Sequence, residues 1–74
     1  MSRSYVLVQT DVGRAVEIAE AAVVLPGVTF ADAVTGPYDL VVALDGDGSV
    51  ALGALQKLPG VTRTISCGPT ITLP

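Results

Sequence analysis

Histidine is absent from the sequence, and cysteine occurs once, as Cys67. An intrachain disulfide is therefore impossible, and a metal site built from histidine and cysteine ligands is very hard to assemble. Cys67 also has no histidine base to hold it as a thiolate nucleophile, so a buried or strand-end thiol is the favoured interpretation. With no metal motif and no clustered arginines either, we expect that the chain is not an enzyme and carries no cofactor.

Positive charge is also scarce. Four lysines and arginines, scattered along the chain, face seven carboxylates, which gives a net charge of −3. Such a chain is a poor partner for nucleic acid. The first apolar run is too short for a membrane span or for the core of a secretion signal. We therefore expect a cytoplasmic protein that binds neither DNA nor membranes directly.

The chain has 74 residues, and a monomer of this size buries only about 60% of the surface that its unfolded chain exposes. Half of the residues are hydrophobic, which suits a packed core rather than a disordered segment. We expect one domain over residues 1–74. Since neither a disulfide nor a metal supports it, self-association is the natural supplement.

One short segment occurs twice: Leu25-Pro26-Gly27-Val28-Thr29 returns thirty-three residues later as Leu58-Pro59-Gly60-Val61-Thr62. Each copy follows a helical pattern and precedes a strand pattern, so it is interpreted as a helix-to-strand connector. Asp11 is the expected N-cap of the first helix, and Asp47 or Ser49 that of the second. The apolar face of the first helix is expected to consist of Val12, Ala15, Val16, Ala19, Ala22 and Val23.

Four strands are predicted around these helices, over Tyr5–Gln9, Val28–Val34, Leu40–Leu44 and Val61–Cys67. The resulting order, βαββαβ, is that of the α+β, ferredoxin-like fold, in which two helices cover one face of a four-stranded antiparallel sheet. Its usual topology places the first and third strands in the centre.

The two central strands are apolar on both faces, although helices cover only one face of such a sheet. Something must therefore cover the other face, and a second copy of the same sheet is the simplest cover. We expect a face-to-face dimer whose interface includes Tyr5, Leu7, Val41 and Ala43.

A turn between the second and third strands, Thr35-Gly36-Pro37-Tyr38-Asp39, combines backbone donors with a carboxylate and an aromatic hydroxyl. These groups complement a small zwitterion, with donors for its carboxylate and an acceptor for its ammonium group. A plain proline-glycine turn with a packed tyrosine explains the same residues. The hydroxyls of Thr62 and Thr64 could extend such a pocket, or could simply keep an edge strand soluble.

The segment Asp45-Gly46-Asp47-Gly48-Ser49 starts like a calcium loop but has valine and glutamine where that loop needs glycine and glutamate. It is interpreted as a strand-to-helix turn.

Taken in order, four segments resemble the Lrp/AsnC family, and more narrowly its C-terminal RAM (regulation of amino-acid metabolism) module. They are Tyr5-Val6-Leu7-Val8, Leu25-Pro26-Gly27-Val28, Val34-Thr35-Gly36-Pro37-Tyr38-Asp39-Leu40 and Leu58-Pro59-Gly60-Val61-Thr62-Arg63-Thr64. The resemblance runs from about Ser4 to Cys67. Two departures are a segment from Asp45 to Leu58 that is shorter than the family's usual second helix, and Pro37, which removes one backbone donor from the turn.

The resemblance implies a module that dimerises through its sheets, assembles into rings of dimers and binds an amino-acid effector between dimers. The effector site then maps onto Gly36, Tyr38 and Asp39, with Thr62 and Thr64 from the last strand. The family's regulators carry a DNA-binding helix-turn-helix before this module, and this chain resembles the module alone. The expected partners are a second copy, an amino acid and full-length Lrp/AsnC regulators.

Two other functions fit the same pattern. One is a purely structural oligomerisation module, and the other is a small-molecule sensor of the ACT type, which shares the βαββαβ order.

Overall fold

The computed structural model describes residues 3–46, 48–68 and 71. Six elements follow one another along them: β1 (Arg3–Thr10), α1 (Ala15–Val23), β2 (Val28–Ala33), β3 (Leu40–Asp45), α2 (Ser49–Gln56) and β4 (Val61–Cys67). Neither helix in these ranges is long and apolar enough to cross a membrane.

The four strands form one antiparallel sheet in the order β2-β3-β1-β4. β1 pairs with both β3 and β4, and β2 pairs with β3. The ferredoxin-like α+β fold predicted from the sequence is therefore confirmed, including the central position of the first and third strands.

The core lies between the sheet and the two helices. Alternate residues of the central strands, among them Val6, Val8 and Leu40, are at most 1% exposed and pack with Ile18 of α1 and Leu55 of α2. Burying each such aliphatic side chain contributes about 1.5–3 kcal/mol. Because both helices supply side chains to this single cluster, they cover the same face of the sheet.

The opposite side of the sheet, which we call the open face, consists of the residues that alternate with the core positions. Direct register across the strands assigns to it Arg3, Tyr5, Leu7 and Gln9 of β1, Phe30 and Asp32 of β2, Val41, Ala43 and Asp45 of β3, and Arg63, Ile65 and Cys67 of β4.

Half-buried apolar side chains dominate the middle of the open face. Leu7 lies beside Val41 and Ile65, and the ring of Tyr5 lies 6.5 Å from that of Phe30. Ala43, which is in register with both rings, is fully buried within the single chain. Of the four expected interface residues, Tyr5, Leu7 and Val41 are thus available to a partner, whereas Ala43 has no exposed surface to offer.

Helix α1 begins later than the sequence suggested. The helix is preceded by a turn in which the N–H of Arg14 donates to the carbonyl of Asp11. No side chain caps the helix, so Asp11 is not its N-cap. Val12 lies outside the helix and is fully exposed, and Val16 is 65% exposed. The expected apolar face is wrong on this side, because the delayed start leaves Ile18, Ala19 and Ala22 as the residues that face the sheet.

Helix α2 is preceded by Gly48, which occupies the N-cap position in the left-handed region, at φ 69°. Ser49 is the first helical residue and therefore not the cap, while Asp47 lies outside the described residues. Gly48 is buried against Leu44, and a Cβ added to it would lie 2.9 Å from the Cβ of Leu44. Only glycine meets both the conformation and the space at this position.

The two repeated connectors tie the halves of the chain to each other. The carbonyl of Gly27, in the first connector, accepts the N–H of Asp45 at the end of β3, at 2.9 Å. The carbonyl of Gly60, in the second, accepts the N–H of Asp11 just after β1, at 2.8 Å. Each half therefore satisfies the backbone where the other half's central strand ends.

Substituting Gly48→Ala is expected to destabilise the fold by about 2–4 kcal/mol, because the new methyl group adds a clash with Leu44 to the cost of a left-handed alanine. Gly46→Ala is the matched control: Gly46 also has positive φ, 61°, but nothing lies within 4 Å of its added Cβ. It should cost only about 1 kcal/mol. Urea denaturation followed by circular dichroism measures both, and equal losses would contradict the packing argument.

Candidate functional site

The turn predicted to hold a ligand lies at the end of the sheet where β1 ends and β3 and β4 begin. Its anchor is Asp39, whose backbone N–H donates to the Val8 carbonyl and whose carbonyl accepts the N–H of Val34, both at 2.8 Å. These two bonds extend the sheet pairing by one residue beyond β3. The loop is thus held at both of its ends.

The carboxylate of Asp39 accepts a hydrogen bond from the Thr10 N–H, with Oδ2 2.8 Å from the nitrogen. Thr10 is the last residue of β1, where the pairing with β4 shifts register. The carboxylate of Asp39 therefore takes the place of a backbone carbonyl from a neighbouring strand as the acceptor for the Thr10 N–H. Half of the carboxylate that the sequence assigned to a ligand's ammonium group is already engaged in holding the fold, and Oδ1 accepts no hydrogen bond from the residues that the structure describes.

Gln9 is a member of this site that the sequence did not single out. Its side-chain amide donates to the Pro37 carbonyl at 3.0 Å and so holds the turn against the end of β1. Pro37 lacks an N–H, but its carbonyl is used. The sequence signal that could have identified Gln9 is its polar side chain at the end of an otherwise apolar strand pattern.

The two threonines of β4 have different surroundings. The hydroxyl of Thr62 donates to the Gln9 carbonyl at 3.1 Å, so it joins the same strand end. Thr64 is in register with the core residue Val8, and its hydroxyl accepts the Gln56 amide of α2 at 3.1 Å. The register shift between Gln9 and Thr10 separates them. Thr64 keeps the regular register and lies on the helix side, apart from Gln9, Asp39 and Thr62.

We call Gln9, Thr10, Asp39 and Thr62, with the turn 35–38, the strand-end cluster. It offers a carboxylate oxygen, a side-chain amide and a hydroxyl, together with the half-buried Tyr38. Gly36, Pro37 and Thr62 are exposed, so the cluster is an open shelf on a single chain. Enclosing a small zwitterion there requires a second surface.

A separate shallow cavity of about 280 Å³ lies at the opposite end of β3. It is lined by Pro26, Gly27, Asp45, Gly48, Ser49, Val50 and Ala51. None of the predicted ligand residues is among them. Its one carboxylate, that of Asp45, accepts the hydroxyl of Thr29 at 3.0 Å. The cavity follows from the way the first connector packs against the start of α2.

The ion pairs of the described chain also lie away from the cluster. At the start of α1, Arg14, the residue before the helix, donates to Glu17 at 2.9 Å, and this hydrogen bond, reinforced by the attraction between the charges, raises the pKa of Arg14 and lowers that of Glu17. Both groups are on the solvent side and contribute nothing to the candidate site.

Replacing Asp39 tests its structural role directly. Asp39→Ala leaves the Thr10 N–H without its acceptor and should lower the free energy of unfolding by about 1–2 kcal/mol. Asp39→Asn keeps an oxygen in the same place and should cost less than half as much. Urea denaturation of both variants measures the difference. Two variants as stable as the parent chain would show that the turn is held by its backbone bonds alone.

Solved structures similar to the chain include three small proteins. TTHA0845 from Thermus thermophilus is 30% identical, with a TM-score of 0.85 over 100% of this chain and 99% of that one. A hypothetical protein, PHS023 from Pyrococcus horikoshii, is 28% identical over 89% of this chain and 86% of its own, with a TM-score of 0.72. FFRP-DM1 is also 28% identical, over 89% and 95%, with a TM-score of 0.71.

No family model matches the sequence, and no curated protein matches it significantly. The structural neighbours are small Lrp/AsnC-like proteins. At 30% identity the match to TTHA0845 extends over essentially the whole of both chains, and the two folds agree along their full length. The chain therefore belongs to the same family as TTHA0845, among the small proteins of the Lrp/AsnC type.

Proposed function

We propose that the protein is a RAM-type regulatory module that dimerises through its open face and binds a small amino-acid effector at the strand-end cluster. One observation carries the proposal: the sheet has an apolar face without helices, in a chain whose relatives are small Lrp/AsnC-like proteins. The module modulates transcription or amino-acid metabolism without contacting DNA itself, in the cytoplasm, and acts alone or together with full-length relatives.

The apolar open face supports the dimer. Leu7, Val41 and Ile65 form a continuous apolar row across three strands, and the rings of Tyr5 and Phe30 extend it. An apolar sheet face is normally covered, and two such faces pack about 10 Å apart. A second copy supplies a surface of the same shape and hydrophobicity.

The open shelf of the strand-end cluster supports an effector site between copies. The free Oδ1 of Asp39 can accept an ammonium group, while the turn and the hydroxyl of Tyr38 can donate to a carboxylate. A neighbouring dimer would supply the second surface that encloses the effector at this shelf. Effector binding would then require the ring of dimers. Sensing and assembly are then coupled through the same contact.

A structural oligomerisation module is the second candidate, and one observation favours it. The carboxylate of Asp39 already accepts a hydrogen bond from the Thr10 N–H, so this acid stabilises the turn even when no ligand is bound. Both candidates propose a non-enzymatic protein, and they differ in whether the cluster binds an effector.

Substitution of Leu7→Asp places two charges in the proposed dimer interface, one from each copy. It should raise the dimer Kd at least about 100-fold, since each copy also loses the burial of a leucine worth about 1.5–3 kcal/mol. Val16→Asp, on the exposed side of α1, is the control and should leave the Kd unchanged. Sedimentation equilibrium measures both. A parent chain that stays monomeric at high concentration would contradict the dimer.

An amino-acid effector is tested by thermal denaturation with each standard amino acid at millimolar concentration. A ligand present at about 100 times its Kd should stabilise the protein by about 2.7 kcal/mol and raise the Tm by several degrees. Tyr38→Ala should abolish the shift, whereas Thr64→Ala, outside the cluster, should keep it. Stable dimers that respond to no amino acid would favour the structural module.

A further inference from the structure

The four charged residues of the open face are divided by sign between its two halves. Asp32 and Asp45 belong to β2 and β3, whereas Arg3 and Arg63 belong to β1 and β4. Because the strand order is β2-β3-β1-β4, one half of the face is acidic and the other basic. The boundary runs along the strands, between β3 and β1.

The two edge charges have no partner inside the described chain. Asp32 lies on one edge strand and Arg63 on the other, and three strand spacings separate them, about 14 Å. Neither takes part in an ion pair or hydrogen bond with any residue that the structure describes. Their charges are available to a molecule that covers the face.

When the strands of two facing sheets are aligned with each other, the two-fold axis of the dimer can lie in two ways, across the strands or along them. An axis across the strands sets β2 over the partner's β2 and β4 over its β4, so that acid meets acid and base meets base. An axis along the strands, between β3 and β1, sets β2 over the partner's β4 and β3 over its β1. Only this second arrangement lays each acidic half on a basic half.

We propose, resting on the open-face dimer above, that the two-fold axis runs along the strands and that Asp32 pairs with the partner's Arg63. By symmetry the pair occurs twice, once at each edge of the interface. Arg63 lies two residues further along the strand direction than the row of Asp32, about 7 Å, which the long arginine side chain spans.

The same axis accounts for the rest of the face. Asp45 lies opposite the partner's Arg3, which adds two more complementary positions. Leu7 lies opposite the partner's Val41, so the apolar row closes on itself at the centre. Phe30 lies opposite the partner's Cys67, where a ring and a thiol make a favourable contact. Charges at the rim thus fix the orientation, while the apolar centre supplies the affinity.

Charge reversal tests the orientation. Asp32→Arg and Arg63→Asp each create two like-charge pairs, and each should raise the dimer Kd by about tenfold. The double variant exchanges the two charges and should return the Kd to within about threefold of the parent value. Glu20→Arg and Lys57→Asp, on exposed positions outside the sheet, are the controls for net charge and should have no effect.

Ionic strength gives an independent measurement. With acid laid on base, added salt screens an attraction and should weaken the dimer, whereas with like halves together it would strengthen it. Reversals without effect, or a dimer that tightens in salt, would overturn the proposed axis. In that case Leu7→Asp would still dissociate the dimer if only the orientation is wrong, and a monomeric parent chain would instead reject the open-face dimer itself.

Discussion

Two helices of eight and nine residues cover one face of a four-stranded sheet and leave the other bare. This is the constraint on which the rest of the structure depends. Every apolar side chain that alternates with the core must point away from the helices, since the strand period is two. A chain this small cannot supply a third layer. The open face, with its apolar middle and divided charge, is the direct result.

The order of elements and the central strands were predictable, because they rest on periodicity and on a repeated connector. Leu25-Pro26-Gly27 and Leu58-Pro59-Gly60 each stop a helix and start a strand whatever surrounds them, so local chemistry suffices. The apolar character of the open face was also readable, since the central strands do not alternate with polar residues. Even the boundaries of β4, Val61–Cys67, coincide with the prediction.

The candidate site was only partly predictable, because it depends on a register shift. Sequence spacing placed Thr62 and Thr64 on one face, but the pairing is irregular at Thr62, while Thr64 stays in regular register with the core residue Val8. The contact of Asp39 with Thr10 joins residues far apart in the chain, and no local pattern announces it. The predicted start of α1 was wrong for a similar reason. A turn closed by the Asp11 carbonyl precedes the helix, so Asp11 lies too early in the chain to cap it.

The crossed hydrogen bonds of the two connectors have a consequence for the cooperativity of the molecule. Each half contributes a glycine carbonyl to the strand end of the other, so neither half retains all of its backbone bonds when the other opens. The duplication visible in the sequence thus does not divide the structure into two foldons. We expect the amides of Asp11 and Asp45 to show the same free energy of opening in hydrogen exchange, equal to that of unfolding the whole chain.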